Sequence, residues 1–136
     1  TDPALTDAGC VAMAMAGQII DVDYSRRGRK RVRVKFTFTA NYPGAGGETI
    51  NFTTLTVAPG VGPGAHIDGV PSNWTVDDDI AGYAAEVNPA GSPTLANFGK
   101  LMVYSAAGTE LAAGAYPAAI TGDEAFVTFI GPRTRM

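Results

Sequence analysis

One cysteine, one histidine and a charged fraction of only 17% leave this 136-residue chain short of the usual catalytic chemistry. With Cys10 the sole thiol, no internal disulfide framework can form. His66 has no second imidazole with which to hold a metal and no serine motif beside it, which sets aside Cys/His zinc sites and Ser-His-Asp or Cys-His centres. Apolar runs are also missing: none approaches the roughly 20 residues that a membrane-spanning helix needs. Thr1-Asp2-Pro3 has neither the basic nor the apolar region of a secretion signal, so the expectation is a protein made in the cytoplasm and without a membrane partner. A net charge of −3 supplies no overall attraction to nucleic acid, whose binding rests on phosphate neutralisation.

Turn residues and short apolar segments are what the chain does have. The 17 Gly and 9 Pro are spread between those segments instead of massed in one tract, which predicts many short elements joined by turns. The length suits one domain. The clearest element is 30–40, where Val32, Val34, Phe36 and Phe38 alternate with Arg31, Arg33, Lys35, Thr37 and Thr39. That period of two is a strand with one core face and one polar face. Further strands are expected at 17–24, 49–57, 65–76, 81–88, 98–105 and 124–130. The Ala/Met stretch before residue 17 stays open between strand and short helix. Loops are expected at 41–48, at 59–64, where Pro and Gly rule out a ladder, and at 88–93. Seven or eight short strands of this spacing predict an all-β single domain over 1–136, a β-sandwich or jelly-roll-like barrel with long Gly/Pro-rich loops. Residues 1–17 are either an N-terminal arm or the first core strand.

Seven of the ten Lys and Arg residues fall between 26 and 35. On the strand, Arg29, Arg31, Arg33 and Lys35 stand about 7 Å apart on the polar face, and Arg26 and Arg27 precede them in a turn. Such a stripe in an acidic protein suits docking to an acidic protein surface; a solvated face that guards a strand edge is the plainer alternative. No aromatic is interleaved on that face to stack nucleic-acid bases. Asp77-Asp78-Asp79 lacks the loop pattern of a calcium site and reads as a solvated acidic turn, or as a partner for the basic stripe of a neighbouring copy. Glu48, Glu86, Glu110 and Glu124 offer carboxylates for glycoside hydrolysis without a motif to pair them. Trp74, Tyr83, Phe98, Tyr104, Phe126 and Phe129 fall in strand segments and are expected in the core. No catalytic, cofactor-binding or metal-ligating set emerges.

Three segments resemble parts of small structural proteins of tailed-phage virions, in particular head decoration or cement proteins. The first is Arg31-Val32-Arg33-Val34-Lys35-Phe36-Thr37-Phe38-Thr39-Ala40-Asn41-Tyr42-Pro43-Gly44-Ala45-Gly46-Gly47-Glu48-Thr49-Ile50. The second is Gly99-Lys100-Leu101-Met102-Val103-Tyr104-Ser105-Ala106-Ala107-Gly108-Thr109-Glu110, and the third is Phe126-Val127-Thr128-Phe129-Ile130-Gly131. Together they cover about the last three-quarters of the chain, with the connection between the first two enlarged by 59–64 and 88–93. The resemblance implies a non-enzymatic β-sandwich or jelly-roll subunit, a homotrimer that binds the major capsid protein on the outside of the shell where capsomers meet. On this reading Arg26, Arg27, Arg29, Arg31, Arg33 and Lys35 are the capsid-docking residues and no cofactor is required. A carbohydrate-binding or adhesion module using exposed Trp74 or tyrosines, and a tail or neck subunit of the virion, are the rival expectations.

Overall fold

The alternation of small β-branched and aromatic residues with cations produces, in a computed structural model, a ten-residue strand that organises a β-sandwich-like, all-β fold. The described residues are 15–24, 29–38, 41–43, 47–62, 65–67, 69–78, 82–118 and 120–132. In chain order the strands are β1 (Met15–Tyr24), β2 (Arg29–Phe38), β3 (Asn41–Tyr42), β4 (Glu48–Ile50), β5 (Thr56–Val57), β6 (Asn73–Asp78), β7 (Ala84–Pro89), β8 (Gly99–Tyr104), β9 (Gly114–Ala115) and β10 (Glu124–Pro132). A five-stranded sheet runs β5-β1-β2-β10-β6, a three-stranded sheet runs β4-β8-β7, and β3 pairs with β9. All pairs are antiparallel except β1 with β5.

The inner face of the larger sheet carries Ile19, Val32, Val34, Phe36, Phe38, Ala125, Val127 and Phe129. The smaller sheet contributes Ile50, Ala85, Val87, Leu101 and Val103, and both sets belong to one buried cluster. Between the sheets an aromatic knot closes the core, with Phe52 edge-on to Phe129 at 4.8 Å, Phe98 at 5.3 Å from Phe52, and Trp74 edge-on to Phe98 at 5.4 Å. Edge-to-face rings add attraction beyond the area that they bury.

Several expected strands are shorter or broken, each for a local reason. The 49–57 segment splits because the Asn51 side chain accepts a hydrogen bond from the Thr53 amide at 2.9 Å and caps a single 3-10 turn, Phe52–Thr54. Of the expected 65–76 strand only 73–76 is regular, and the strand continues to Asp78. Pro71 lacks a donor, and Gly69 lies so close to Pro132 that an added Cβ would stand 2.7 Å from its ring, although Ala65 and Ile67 are buried without a ladder. Residues 15–17 of the expected arm form the start of β1, opposite Phe38, Thr37 and Phe36, while 1–14 lie outside the described residues. The two-residue strands β3 and β9 carry no alternation that a sequence pattern could register.

A second aromatic group sits beneath β3 and β9. Tyr116 lies 5.2 Å from Phe38 and 6.0 Å from Tyr42, all three buried. The Tyr42 hydroxyl donates to Glu110 Oε2 at 2.5 Å and accepts from the Val103 amide at 3.2 Å. The Tyr116 hydroxyl is buried without a hydrogen-bond partner among the described residues. Burial pushes both phenol pKa values well above the usual 10.0, reinforced at Tyr42 by Glu110 and at Tyr116 by the charge of Glu48. Gly47 has φ +91°, and a Cβ there would collide with the Leu101 carbonyl oxygen.

Three outcomes follow from this packing. Tyr42→Phe orphans a buried amide and removes a donor from Glu110, so it should cost about 2 kcal/mol in urea unfolding, whereas Tyr116→Phe removes a hydroxyl that satisfies nothing and should be neutral or stabilising by up to about 1 kcal/mol. Both folded phenols hold their protons more tightly than the unfolded chain does. Their contribution is therefore complete below pH 10 and is lost as pH rises beyond it; the urea midpoint should fall above about pH 10, less steeply in Tyr116→Phe. Gly47→Ala combines left-handed backbone with a backbone collision and should cost about 3 kcal/mol, read as a lowered Tm.

Candidate functional site

Alternation along β2 turns Arg29, Arg31, Arg33 and Lys35 away from the core, so the expected stripe exists on the outer face of the five-stranded sheet. Arg26 and Arg27 lie outside the described residues. Lys30 belongs to the opposite phase. It is 3% exposed, with its ammonium 5.4 Å from the centre of the Tyr24 ring, and takes no part in the outer face.

The fold surrounds the stripe with carboxylates from the neighbouring hairpin strand and from two strands remote in sequence. Arg31 lies 3.9 Å from Asp23 on β1, Arg33 lies 3.5 Å from Asp77 on β6, and Lys35 lies 3.6 Å from Glu124 on β10. Asp21 stands opposite Arg33 in the β1–β2 register. The face is thus a mosaic of four cations and four carboxylates instead of a single-sign patch, although the sequence concentrates the cations. The side-chain exposure of the cations falls along the strand, from 59% at Arg31 through 38% at Arg33 to 29% at Lys35. Pairs this exposed are worth about 0–1 kcal/mol each, so a partner's charges can replace them cheaply.

A β-bulge makes the mosaic possible. Ile19 pairs with Val34 and Asp21 with Arg33, so Ile20 is the extra residue and the facing of β1 reverses there. Without it, Asp21 and Asp23 would share the inward phase of Ile19; with it, Val22 turns inward opposite Val32 and both aspartates turn outward. The Asp21 carboxylate accepts a hydrogen bond from the Val22 amide at 3.0 Å at the bulge itself.

Phe126 departs from its expected place in the core. Ala125, Val127 and Phe129 take the inward positions of β10, which leaves Phe126 half-buried on the outer face with the Arg33 guanidinium 4.6 Å from its ring centre. Arg33 is thereby held between an aromatic face and Asp77. Arg31, Arg33, Thr128 and Ile130 floor a concavity of about 380 Å³ that is rimmed by Asp21 and Asp23 on one side and Thr75 on the other.

Other expected candidates are dispersed. Asp77 and Asp78 end an edge strand and do not form a turn, with Asp77 serving Arg33 of its own chain; Asp79 lies outside the described residues. His66 is exposed in a loop, and Cys10 lies outside the described residues. Glu110 is engaged by Tyr42 and Glu124 by Lys35. Among the described residues no group of three or more His, Cys, Asp and Glu is placed to hold a metal ion, and no helix is long and apolar enough to cross a membrane. Trp74 is turned onto Phe98, so it is no exposed platform for sugar, while Tyr104, expected inside, is half-buried on the outward face of β8.

A bulge leaves no mark on a one-dimensional pattern beyond the interruption of alternation at Ile19-Ile20, which is the one signal that could have revealed Asp21 and Asp23. No family model, curated protein or solved structure matches the chain.

Proposed function

We propose that this chain is a non-enzymatic structural subunit of a virion, a decoration protein of jelly-roll type that docks as a homotrimer on the major capsid protein at capsomer junctions. The observation that carries the reading is the ladder-held charge mosaic on the five-stranded sheet, joined to the resemblance of three segments to phage decoration proteins. A rigid sheet fixes the spacing of Arg31, Arg33 and Lys35, and their weak, solvent-exposed ion pairs can be exchanged for carboxylates of a partner. Charge complementarity of this kind sets orientation and register more than raw affinity. Many copies on a symmetric lattice compensate, because avidity multiplies small polar contacts.

The test is co-sedimentation of the purified protein with capsids that lack it. The expected result is saturation at a lattice-related stoichiometry on the order of hundreds of copies per particle. The triple variant Arg31→Gln, Arg33→Gln, Lys35→Gln, with its fold verified by circular dichroism, should bind about tenfold more weakly and lose much of its salt dependence. Unchanged binding by that variant would remove the mosaic from the docking surface, and a handful of copies per particle would move the assignment to a tail or neck position.

A further inference from the structure

The outward face of the three-stranded sheet has a different chemistry. Alternation turns Ala84 and Glu86 of β7 and Met102 and Tyr104 of β8 away from the core, with Ala84 opposite Tyr104 and Glu86 opposite Met102. Beyond Tyr104 the chain makes a tight turn, in which the Gly108 amide donates to the Ser105 carbonyl at 2.9 Å and the Ser105 amide to the Thr109 carbonyl at 2.8 Å. That turn and the Gly82-Tyr83 approach to β7 border a shallow, widely open concavity of about 620 Å³.

Its lining divides sharply by chemistry. Tyr104 supplies half-buried aromatic surface and Glu86 an exposed carboxylate, while Tyr83 borders the groove with its side chain packed against the core. Gly82, Ala84, Ala106 and Gly108 keep the remaining wall low, so a ligand can approach the backbone. The Tyr104 hydroxyl donates to Met102 Sδ at 3.7 Å, and loss of solvent, followed by the charge of Glu86 and a hydrogen bond with it, raises the phenol pKa above its ordinary value.

We infer that this groove is a saccharide site, with the Tyr104 ring receiving the C–H face of a neutral sugar and Glu86 accepting its hydroxyls. A ring with a polar edge, a carboxylate that takes two hydroxyl donors and small neighbours are the features that a flat, polyhydroxylated ligand needs. A neutral ligand fits better than an anion, which Glu86 would repel. The groove lies on the opposite sheet from the charge mosaic, so the inference stands or falls independently of the proposed docking role.

The experiment is titration of the full-length, ¹⁵N-labelled protein with four neutral oligosaccharide probes, of the malto-, cello-, laminari- and chito- series, followed by amide shifts. At least one should produce saturable shifts confined to 82–86 and 104–108. Tyr104→Ala should weaken that binding at least about tenfold, Glu86→Gln severalfold, and Tyr104→Phe less than Tyr104→Ala because it retains the ring. Glu86 is exposed, so its variant keeps the test decisive if Tyr104→Ala fails to fold. The inference is overturned if none of the four probes shifts these amides, if Glu86→Gln and a folded Tyr104→Ala bind like the parent, or if a lysine-rich peptide shifts them and the saccharides do not.

Discussion

Insertion of β10 between β2 and β6 is the constraint on which the molecule depends. Residues 124–132 pair with 29–37 on one side and 125–130 pair with 73–78 on the other, joining the last described strand to the second and to the middle of the chain. The seam is tied where the Phe38 amide donates to the Asp123 carbonyl at 3.0 Å and the Gly122 amide to the Phe38 carbonyl at 2.9 Å. This one register sets both faces at once. Inward it delivers Val127 and Phe129 to the core and to the aromatic knot with Phe52 and Phe98; outward it sets Glu124 and Phe126 beside the β2 cations. A slip of one residue would exchange the two sets, placing a carboxylate in the core and Phe129 in water.

The two outward faces thus carry different side chains over one core. On the larger sheet the β2 cations are flanked by carboxylates of β1, β10 and β6, so the face presents position-specific polarity without a strong net field. On the smaller sheet, tyrosines and a single carboxylate surround a groove. A sandwich-like arrangement permits this division because each strand contributes alternate residues to the shared core and leaves the others available.

Stability and surface chemistry are separable in the same way. The Tyr42–Glu110 bond and the Val103 amide beneath β3 and β9 secure the smaller sheet to the loops without reaching either outward face. The exposed ion pairs of the mosaic add little to folding, which leaves their geometry free to answer to a partner.

Much of the architecture was legible before any coordinates. The β2 pattern named its core residues Val32, Val34, Phe36 and Phe38 and its outward cations, because a half-buried strand writes its environment with period two. The all-β class followed from turn residues spaced between short apolar runs. What the chain could not display is anything that depends on who sits next to whom. The bulge at Ile20 turns Asp21 and Asp23 toward arginines on the next strand, while the β10 register that sends Phe126 outward under Arg33 and the pairing of Asp77 with Arg33 join residues tens of positions apart. Period-two patterning is local, whereas lateral strand order and register are settled by the collective packing of one core. The sequence by itself therefore determined a cationic strand face, and only the tertiary structure decided that this face is a balanced mosaic.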